Sequence, residues 1–122
     1  MTHIALAVSD QARSRRFYET YFEFDPDTAW VADGGVLLIE GPDKVTLALG
    51  PTDERSSLPV FLHFGFRSAA DPDEVRAFRD RLAGDGVEIA GFWDEPDYVS
   101  VKCKDPDGYV IEFAWEPADQ AE

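Results

Sequence analysis

The stretch that decides the fold is VKCKDPDGYVIEFAWEP, residues 101–117. It predicts a strand, a tight turn at residues 105–108 and a second strand. One face of the second strand is apolar and carries Tyr109, Ile111, Phe113 and Trp115. Glu112 lies on the other face, between Val110 and Ala114, because successive side chains of a strand point to opposite sides. A carboxylate between two small apolar neighbours predicts that this face opens into a cavity.

The predicted elements recur in the same order in both halves of the chain. The first half gives a strand, a helix and three strands, at about residues 1–8, 10–21, 27–32, 35–40 and 44–49. The second half gives the same series at about residues 60–67, 72–84, 86–93, 98–102 and 109–115. Ser9 and Asp10 can cap the first helix, and Asp71 is a suitable N-cap for the second. The pattern predicts an α+β fold of two βαβββ modules, within one domain spanning 1–122.

The modules are expected at about 1–50 and 60–117, joined by a polar linker at about 51–59. His3 precedes His63 by 60 residues, and the turn at 41–44 precedes the turn at 105–108 by 64. One inserted residue after the turn then sets Leu47 opposite Glu112. Small changes in loop length between the two repeats account for the increase in this offset along the chain.

Composition limits the classes of partner. The 122 residues include 25 acidic and 11 basic side chains, a net charge of −14 that argues against nucleic acid or an anionic membrane as a partner. The acidity indicates either a solvated surface or attraction for a cationic ligand. A single cysteine, Cys103, excludes an internal disulfide, and no apolar run reaches membrane-spanning length. We expect a cytoplasmic protein with Cys103 in a structural role.

Both histidines lie near the start of the opening strand of a half. His3 shares a strand face with Ala5 and Ala7, as His63 does with Gly65. Two imidazoles and the Glu112 carboxylate form a facial triad that suits Fe(II), Mn(II), Ni(II), Co(II) or Zn(II) and leaves coordination positions open. A strand histidine is also common as a hydrogen-bonded structural residue, and a strand glutamate as a rim residue. From spacing alone both interpretations stay open.

Other side chains are candidates for contact with a ligand. Tyr98 begins a strand and either donates to a substrate as an acid or hydrogen-bond donor, or is a rim tyrosine. Four aromatic residues could line a ligand cage, but such residues belong to the core more often, and we expect them there: Trp30, Phe92, Trp93 and Trp115.

Four segments together resemble the vicinal oxygen chelate superfamily, which contains glyoxalase I, extradiol dioxygenases and bleomycin-resistance proteins. They are HIALAVSD, RRFYETYFEF, FLHFGFR and DPDGYVIEFAWEP, and Glu23 replaces the usual glycine after the helix. The resemblance implies a cupped mixed sheet around a metal or ligand cavity, with His3, His63 and Glu112 at ligand positions. It also implies a homodimer, in which His3 of one chain can join His63 and Glu112 of the other.

The resemblance does not select one reaction. A fourth ligand of glyoxalase I would fall at Leu47, which cannot ligate, and the fosfomycin enzymes carry a hydroxyl residue where this chain has Ala5. The dioxygenases use a further histidine that the chain lacks. The first hypothesis is a metal-dependent lyase, isomerase or dioxygenase in which Glu112 and Tyr98 serve catalysis. The second is a metal-free, bleomycin-resistance-like protein that sequesters a small molecule.

Overall fold

The computed structural model describes residues 2–53, 58–59 and 61–117, in two compact units, Met1–Ser57 and Leu58–Glu122. The first unit contains β1 (His3–Val8), α1 (Gln11–Tyr21), β2 (Asp25–Val31), β3 (Leu37–Glu40) and β4 (Thr46–Pro51). Its strands form one sheet in the order β1-β4-β3-β2, with β1 parallel to β4 and the other pairs antiparallel.

The second unit repeats this arrangement. It contains β5 (His63–Phe64), α2 (Pro72–Gly84), β6 (Ile89–Glu95), β7 (Tyr98–Lys104) and β8 (Val110–Trp115). The strand order is β5-β8-β7-β6, with β5 parallel to β8. The α+β class and the βαβββ repeat predicted from the sequence are therefore confirmed.

β5 is shorter than the predicted strand at 60–67. Residue 60 lies outside the described residues, as do 54–57 of the predicted linker. At Gly65 the backbone runs so close to β8 that an added Cβ would lie 2.6 Å from the carbonyl oxygen of Glu112. This close approach coincides with the end of β5 at Phe64, and further along the chain the Ala69 N–H donates to the Ala114 carbonyl.

Both helices begin at the predicted caps. The Asp10 side chain accepts a hydrogen bond from the Arg13 backbone N–H, and the Asp71 side chain accepts one from that of Glu74. Pro72 occupies the first helical position of α2, where its missing N–H would have had no intrahelical partner. Among the described residues, neither helix nor any other is long and apolar enough to span a membrane.

One face of each sheet forms the core of its unit. In the second unit the core face of β7 and β8 is buried and carries Val99, Val101, Cys103, Ile111 and Phe113. Phe78 of α2 packs edge-on against Phe113, with ring centroids 5.2 Å apart. Burial raises the pKa of Cys103 to about 12, which opposes any activation by the flanking lysines and agrees with a structural role.

The expectation that the aromatic residues belong to the core is wrong for two of them. Trp30 is 58% exposed and Trp93 is 41% exposed. Each lies on the face of its sheet opposite to the apolar core, because Trp30 pairs with Leu38 and Trp93 pairs with Ser100 across neighbouring strands.

The repeat register differs from the predicted one by a residue. His3 pairs with Thr46 and His63 pairs with Val110, so the two later strands align with a constant difference of 64 residues in number. Ala48 is therefore the counterpart of Glu112, and Leu47 is the counterpart of the buried Ile111. The prediction of an inserted residue was wrong because the turns at 41–45 and 105–109 have equal length and share two backbone hydrogen bonds: the first N–H donates to the last carbonyl, and the fourth N–H to the first carbonyl. The position assigned to a fourth ligand thus belongs to Ala48, which has no ligating atom either.

Candidate functional site

The polar side chains of the second unit gather on the open face of its sheet. Lys102 lies directly opposite Glu112, and Ser100 lies opposite Ala114, in the antiparallel pairing of β7 with β8. Directly opposed residues point to the same side of a sheet. Tyr98, Ser100 and Lys102 therefore share a face with Glu112.

The Glu112 carboxylate is held through one of its two oxygens. Oε2 accepts a hydrogen bond from the Ser100 hydroxyl at 2.6 Å and a second from the Tyr98 hydroxyl. Ser100 is fully buried, so its hydroxyl is fixed in place. The arrangement orients the carboxylate and directs Oε1 towards His63.

His63 lies on the neighbouring strand with its ring orientation set by the backbone. Its Nδ1 lies 2.7 Å from the carbonyl oxygen of Phe61. A carbonyl oxygen can only accept, so Nδ1 carries the hydrogen in this contact. The neutral ring then presents a lone pair at Nε2, which lies 3.6 Å from Oε1 of Glu112.

The surroundings keep Glu112 ionised and Tyr98 neutral. Partial burial acts to raise the pKa of Glu112, but the hydrogen bonds from the Ser100 and Tyr98 hydroxyls and the charge of Lys102 outweigh it, so the pKa lies below its ordinary value. Partial burial and the hydrogen bond to Glu112 raise the pKa of Tyr98. Tyr98 therefore keeps its phenolic proton at neutral pH and donates it to the carboxylate.

An open cavity of about 360 Å³ adjoins Glu112. Its lining consists of Gly65, Phe66, Arg67, Ser68, Glu112, Ala114 and Glu116. Arg67 is the basic residue of this lining, and it already has partners: it forms an ion pair with Glu74 at 3.1 Å and stacks over Phe113. The cavity thus gives a small molecule access to Glu112 without offering it an unpaired arginine.

Three of the four site residues predicted from the sequence lie together. His63, Glu112 and Tyr98 meet on the open face of the second unit. His3 lies in the first unit, exposed, with Nδ1 3.1 Å from the Thr2 hydroxyl, so its convergence with the other two stays a prediction. Within the described residues no group of three or more His, Cys, Asp or Glu side chains is placed to hold a metal ion.

Sequence reasoning missed Ser100. The signal was present, because Ser100 lies two residues after Tyr98 and therefore on the same strand face. A serine is common on strands and its partner across the sheet is not visible in a sequence.

The donor atoms of His63 and Glu112 fit a divalent ion. Metal–nitrogen and metal–oxygen bonds are about 2.0–2.2 Å long, so one ion can touch two atoms that lie 3.6 Å apart. A ligating histidine usually donates its other ring N–H to a backbone carbonyl or carboxylate, as His63 does to Phe61. Glu112 is likewise supported by the hydroxyls of Ser100 and Tyr98.

Comparisons with known proteins place the chain in a family. The sequence matches the Glyoxalase/Bleomycin resistance protein/Dioxygenase superfamily over residues 1–113. A comparison with curated protein sequences finds no significant match.

Solved structures share the fold at low identity. A glyoxylase/bleomycin resistance protein/dioxygenase domain from Frankia sp. EAN1pec is 17% identical, with a TM-score of 0.76, covering 96% of this chain and 97% of that one. A mutant of the fosfomycin resistance protein FosX from Listeria monocytogenes, complexed with Mn(II) and 1S,2S-dihydroxypropylphosphonic acid, is 17% identical, with a TM-score of 0.79 and coverage of 98% and 94%. Lactoylglutathione lyase from Agrobacterium tumefaciens is 20% identical, with a TM-score of 0.69 and coverage of 93% and 91%.

The match over nearly the whole sequence agrees with the two βαβββ units and with the resemblance of the strand and turn motifs. The chain belongs to the glyoxalase/bleomycin resistance protein/dioxygenase superfamily.

Proposed function

We propose that the protein is a metal-dependent enzyme that acts on a small, oxygen-chelating substrate. In this proposal His63 and Glu112, joined by His3, hold a divalent ion of Fe, Mn, Ni, Co or Zn. The observation that carries the proposal is the separation of 3.6 Å between His63 Nε2 and Glu112 Oε1, with the remaining polar atoms of both side chains engaged elsewhere.

The electrostatics of the pair support this assignment. A neutral imidazole with its hydrogen on Nδ1 turns a lone pair towards a carboxylate oxygen that is also an acceptor. Two acceptors at this distance repel each other unless a cation, a proton or a metal ion, lies between them. The depressed pKa of Glu112 favours the ionised form that binds a metal.

The bound ion would supply Lewis acidity for a lyase, isomerase or dioxygenase type of step. Glu112 serves as its anionic ligand, and Tyr98 and Ser100 hold that carboxylate in one orientation. The open cavity beside Glu112 gives substrate a route to the ion. The FosX complex with Mn(II) supports metal use on this fold.

Metal analysis tests the proposal. Protein made without a histidine tag and without chelators should contain a divalent metal, and a Mn(II) or Zn(II) titration should give one site for each His63–Glu112 pair. Glu112→Gln removes the anionic ligand with little change of shape, so we expect at least about a tenfold loss of metal affinity. Glu116→Gln is the matched control, because Glu116 lines the same cavity and should leave the affinity unchanged. Equal affinities for the two variants would refute the proposal.

We also propose a cytoplasmic homodimer. Closed dimers are the commonest soluble assemblies, and the resemblance to the superfamily favours one here. Light scattering should give the mass of two chains at micromolar concentration, and a monomer mass throughout would contradict the dimer.

A metal-free binding protein is the second candidate function. The exposed aromatic rings favour it, since Phe61 is 82% exposed and Trp93 is 41% exposed on the sheet face that carries Glu112. Tight binding of an organic ligand by protein that takes up no divalent ion would select this candidate.

A further inference from the structure

Two aromatic rings and a lysine form a cluster beside Glu112. Lys102 Nζ lies 4.9 Å from the ring centre of Trp93 and 5.6 Å from that of Phe61. These distances lie within the range of cation–π attraction, which is about 6 Å. We call Phe61, Trp93 and Lys102 the aromatic–lysine cluster.

Lys102 differs from the other basic residues around it. Four of them form ion pairs: Arg67 with Glu74, Arg76 with Asp94, Arg79 with Asp80 and Lys104 with Glu88. Among residues 2–53, 58–59 and 61–117, no carboxylate lies within ion-pair distance of Lys102 Nζ. Lys102 acts on Glu112 through its charge, but its ammonium group contacts ring faces and forms no ion pair with a described carboxylate, so it is available to an external anion.

The Trp93 ring lies against residue 91, which has room for it because it is glycine. An added Cβ on Gly91 would lie 2.5 Å from the indole ring, so the ring occupies the space that a side chain would fill. Gly91 pairs with Lys102 across the strands, and this brings the indole next to the lysine. A planar apolar group can therefore stack on the exposed indole with an anionic group near Nζ.

The aromatic–lysine cluster adjoins the His63–Glu112 pair. Lys102 lies directly opposite Glu112 on β8, and such residues have Cβ atoms about 5 Å apart. Phe61 contacts His63 edge-on, with ring centroids 5.0 Å apart, and its carbonyl accepts from His63 Nδ1. One small molecule can thus reach both groups.

We propose that the aromatic–lysine cluster selects planar organic anions, such as aryl carboxylates, as ligands of this site. Lys102 pairs with the anionic group and Trp93 stacks on the planar part, while Phe61 covers the lysine stem. The inference deepens the proposed function by naming its substrate class, and it rests on that function for the statement that the bound anion is a substrate.

The test uses 2-naphthoate as the probe, with calorimetric titration in the presence of a chelator and again with Mn(II). Neutral 2-naphthamide and cationic 2-naphthylmethylammonium are the matched probes. We expect 2-naphthoate to bind at least about tenfold more tightly than either, because a hydrogen bond to a charged group contributes about that much. Stronger binding of the cation, or equal binding of all three, would overturn the inference.

Variants locate the binding. Lys102→Met removes the charge, keeps an apolar stem and should lower 2-naphthoate affinity about tenfold, to the level of 2-naphthamide. Gly91→Ala should displace the indole and weaken the binding of 2-naphthoate and of 2-naphthamide. Lys104→Met is the control, since Lys104 lies on the same strand and face but is paired with Glu88 at 3.0 Å. Equal losses for Lys102→Met and Lys104→Met would refute a specific role for the cluster.

The two proposals fail in different ways. If the protein binds Mn(II) but shows no preference for 2-naphthoate, the proposed ligand class is refuted and the proposed metal centre is retained. Protein that prefers 2-naphthoate in chelator and binds no divalent ion supports the cluster and overturns the metal-dependent enzyme.

Discussion

The two units use one scaffold for different chemistry. His3 and His63 occupy the same place, each on an edge strand paired in parallel with the last strand of its unit. Beside His63 the open face carries Glu112 and Lys102. Beside His3 the same two positions, 64 residues earlier, carry Ala48 and Leu38.

The difference shows which residues specify the fold and which specify the site. Leu47 and Ile111 are counterparts, and both are fully buried on the core face. The core face is conserved in character between the units because it must pack against a helix. The open face has no such requirement, so the same position carries a carboxylate, Glu112, in the second unit and a methyl group, Ala48, in the first.

The largest effect among variants that spare both ligand side chains is expected for Ser100→Ala. The second unit owes its fixed carboxylate to this buried hydroxyl, whose counterpart in the first unit is Val36. Loss of an outer hydrogen bond to a ligand typically costs about 10–100-fold in metal affinity, and we expect a loss at the lower end because Tyr98 still donates. Calorimetric titration with Mn(II) measures it. Ser68→Ala is the control on the cavity wall, and an unchanged affinity for Ser100→Ala would mean that the hydroxyl does not position Glu112.

The carboxylate that the first unit lacks, Glu112, gives the second unit a response to acid. The pKa of Glu112 is held below its ordinary value of 4.5, so the folded state favours the ionised carboxylate. The stabilisation is present above about pH 4.5 and is lost as the pH falls through the lowered pKa. Urea unfolding at a series of pH values should give a shallower loss of stability below pH ~4.5 in Glu112→Gln than in the wild type. Parallel curves for the two proteins would show that Glu112 is not the group responsible.

The smallest effect concerns the ends of the two helices. Glu23 follows α1 with φ 62°, and Gly86 follows α2 with φ 78°. At both ends a backbone N–H after the left-handed residue donates back into the helix: Val87 donates to the Leu82 carbonyl, five residues back, and Phe24 to the Tyr18 carbonyl, six residues back. A residue with a side chain in the left-handed conformation lowers the free energy of unfolding by about 1 kcal/mol, and glycine avoids this strain. Glycine in turn loses more conformational entropy on folding, which offsets part of that gain.

We therefore expect Glu23→Gly to raise the free energy of unfolding by about 0.5 kcal/mol, and Gly86→Ala to lower it by about 1 kcal/mol. Chemical denaturation measures both changes. A destabilised Glu23→Gly variant would mean that contacts of the Glu23 side chain outweigh its backbone strain.

The sequence was sufficient for most of the fold because its signals are local. Alternation placed Glu112 on the open face, and Asp10 and Asp71 marked the two helix starts. The register error at Leu47 arose because no local signal separates an inserted residue from a shifted strand. Ser100 was missed since its role depends on the carboxylate that the fold brings to it from β8.

Nitrogen NMR of the two histidines tests the central claim most directly. Long-range proton–nitrogen spectra report which ring nitrogen carries a hydrogen and which binds a metal, and a chain with two histidines gives few signals to assign. During a Zn(II) titration we predict that the His63 Nε2 resonance shifts while Nδ1 stays protonated against the Phe61 carbonyl. In Glu112→Gln the shift should require at least about ten times more Zn(II). A metal centre built on His63 and Glu112 would be contradicted if the His63 Nε2 resonance did not shift with Zn(II), or if in Glu112→Gln it shifted at the same Zn(II) concentration as in the wild type.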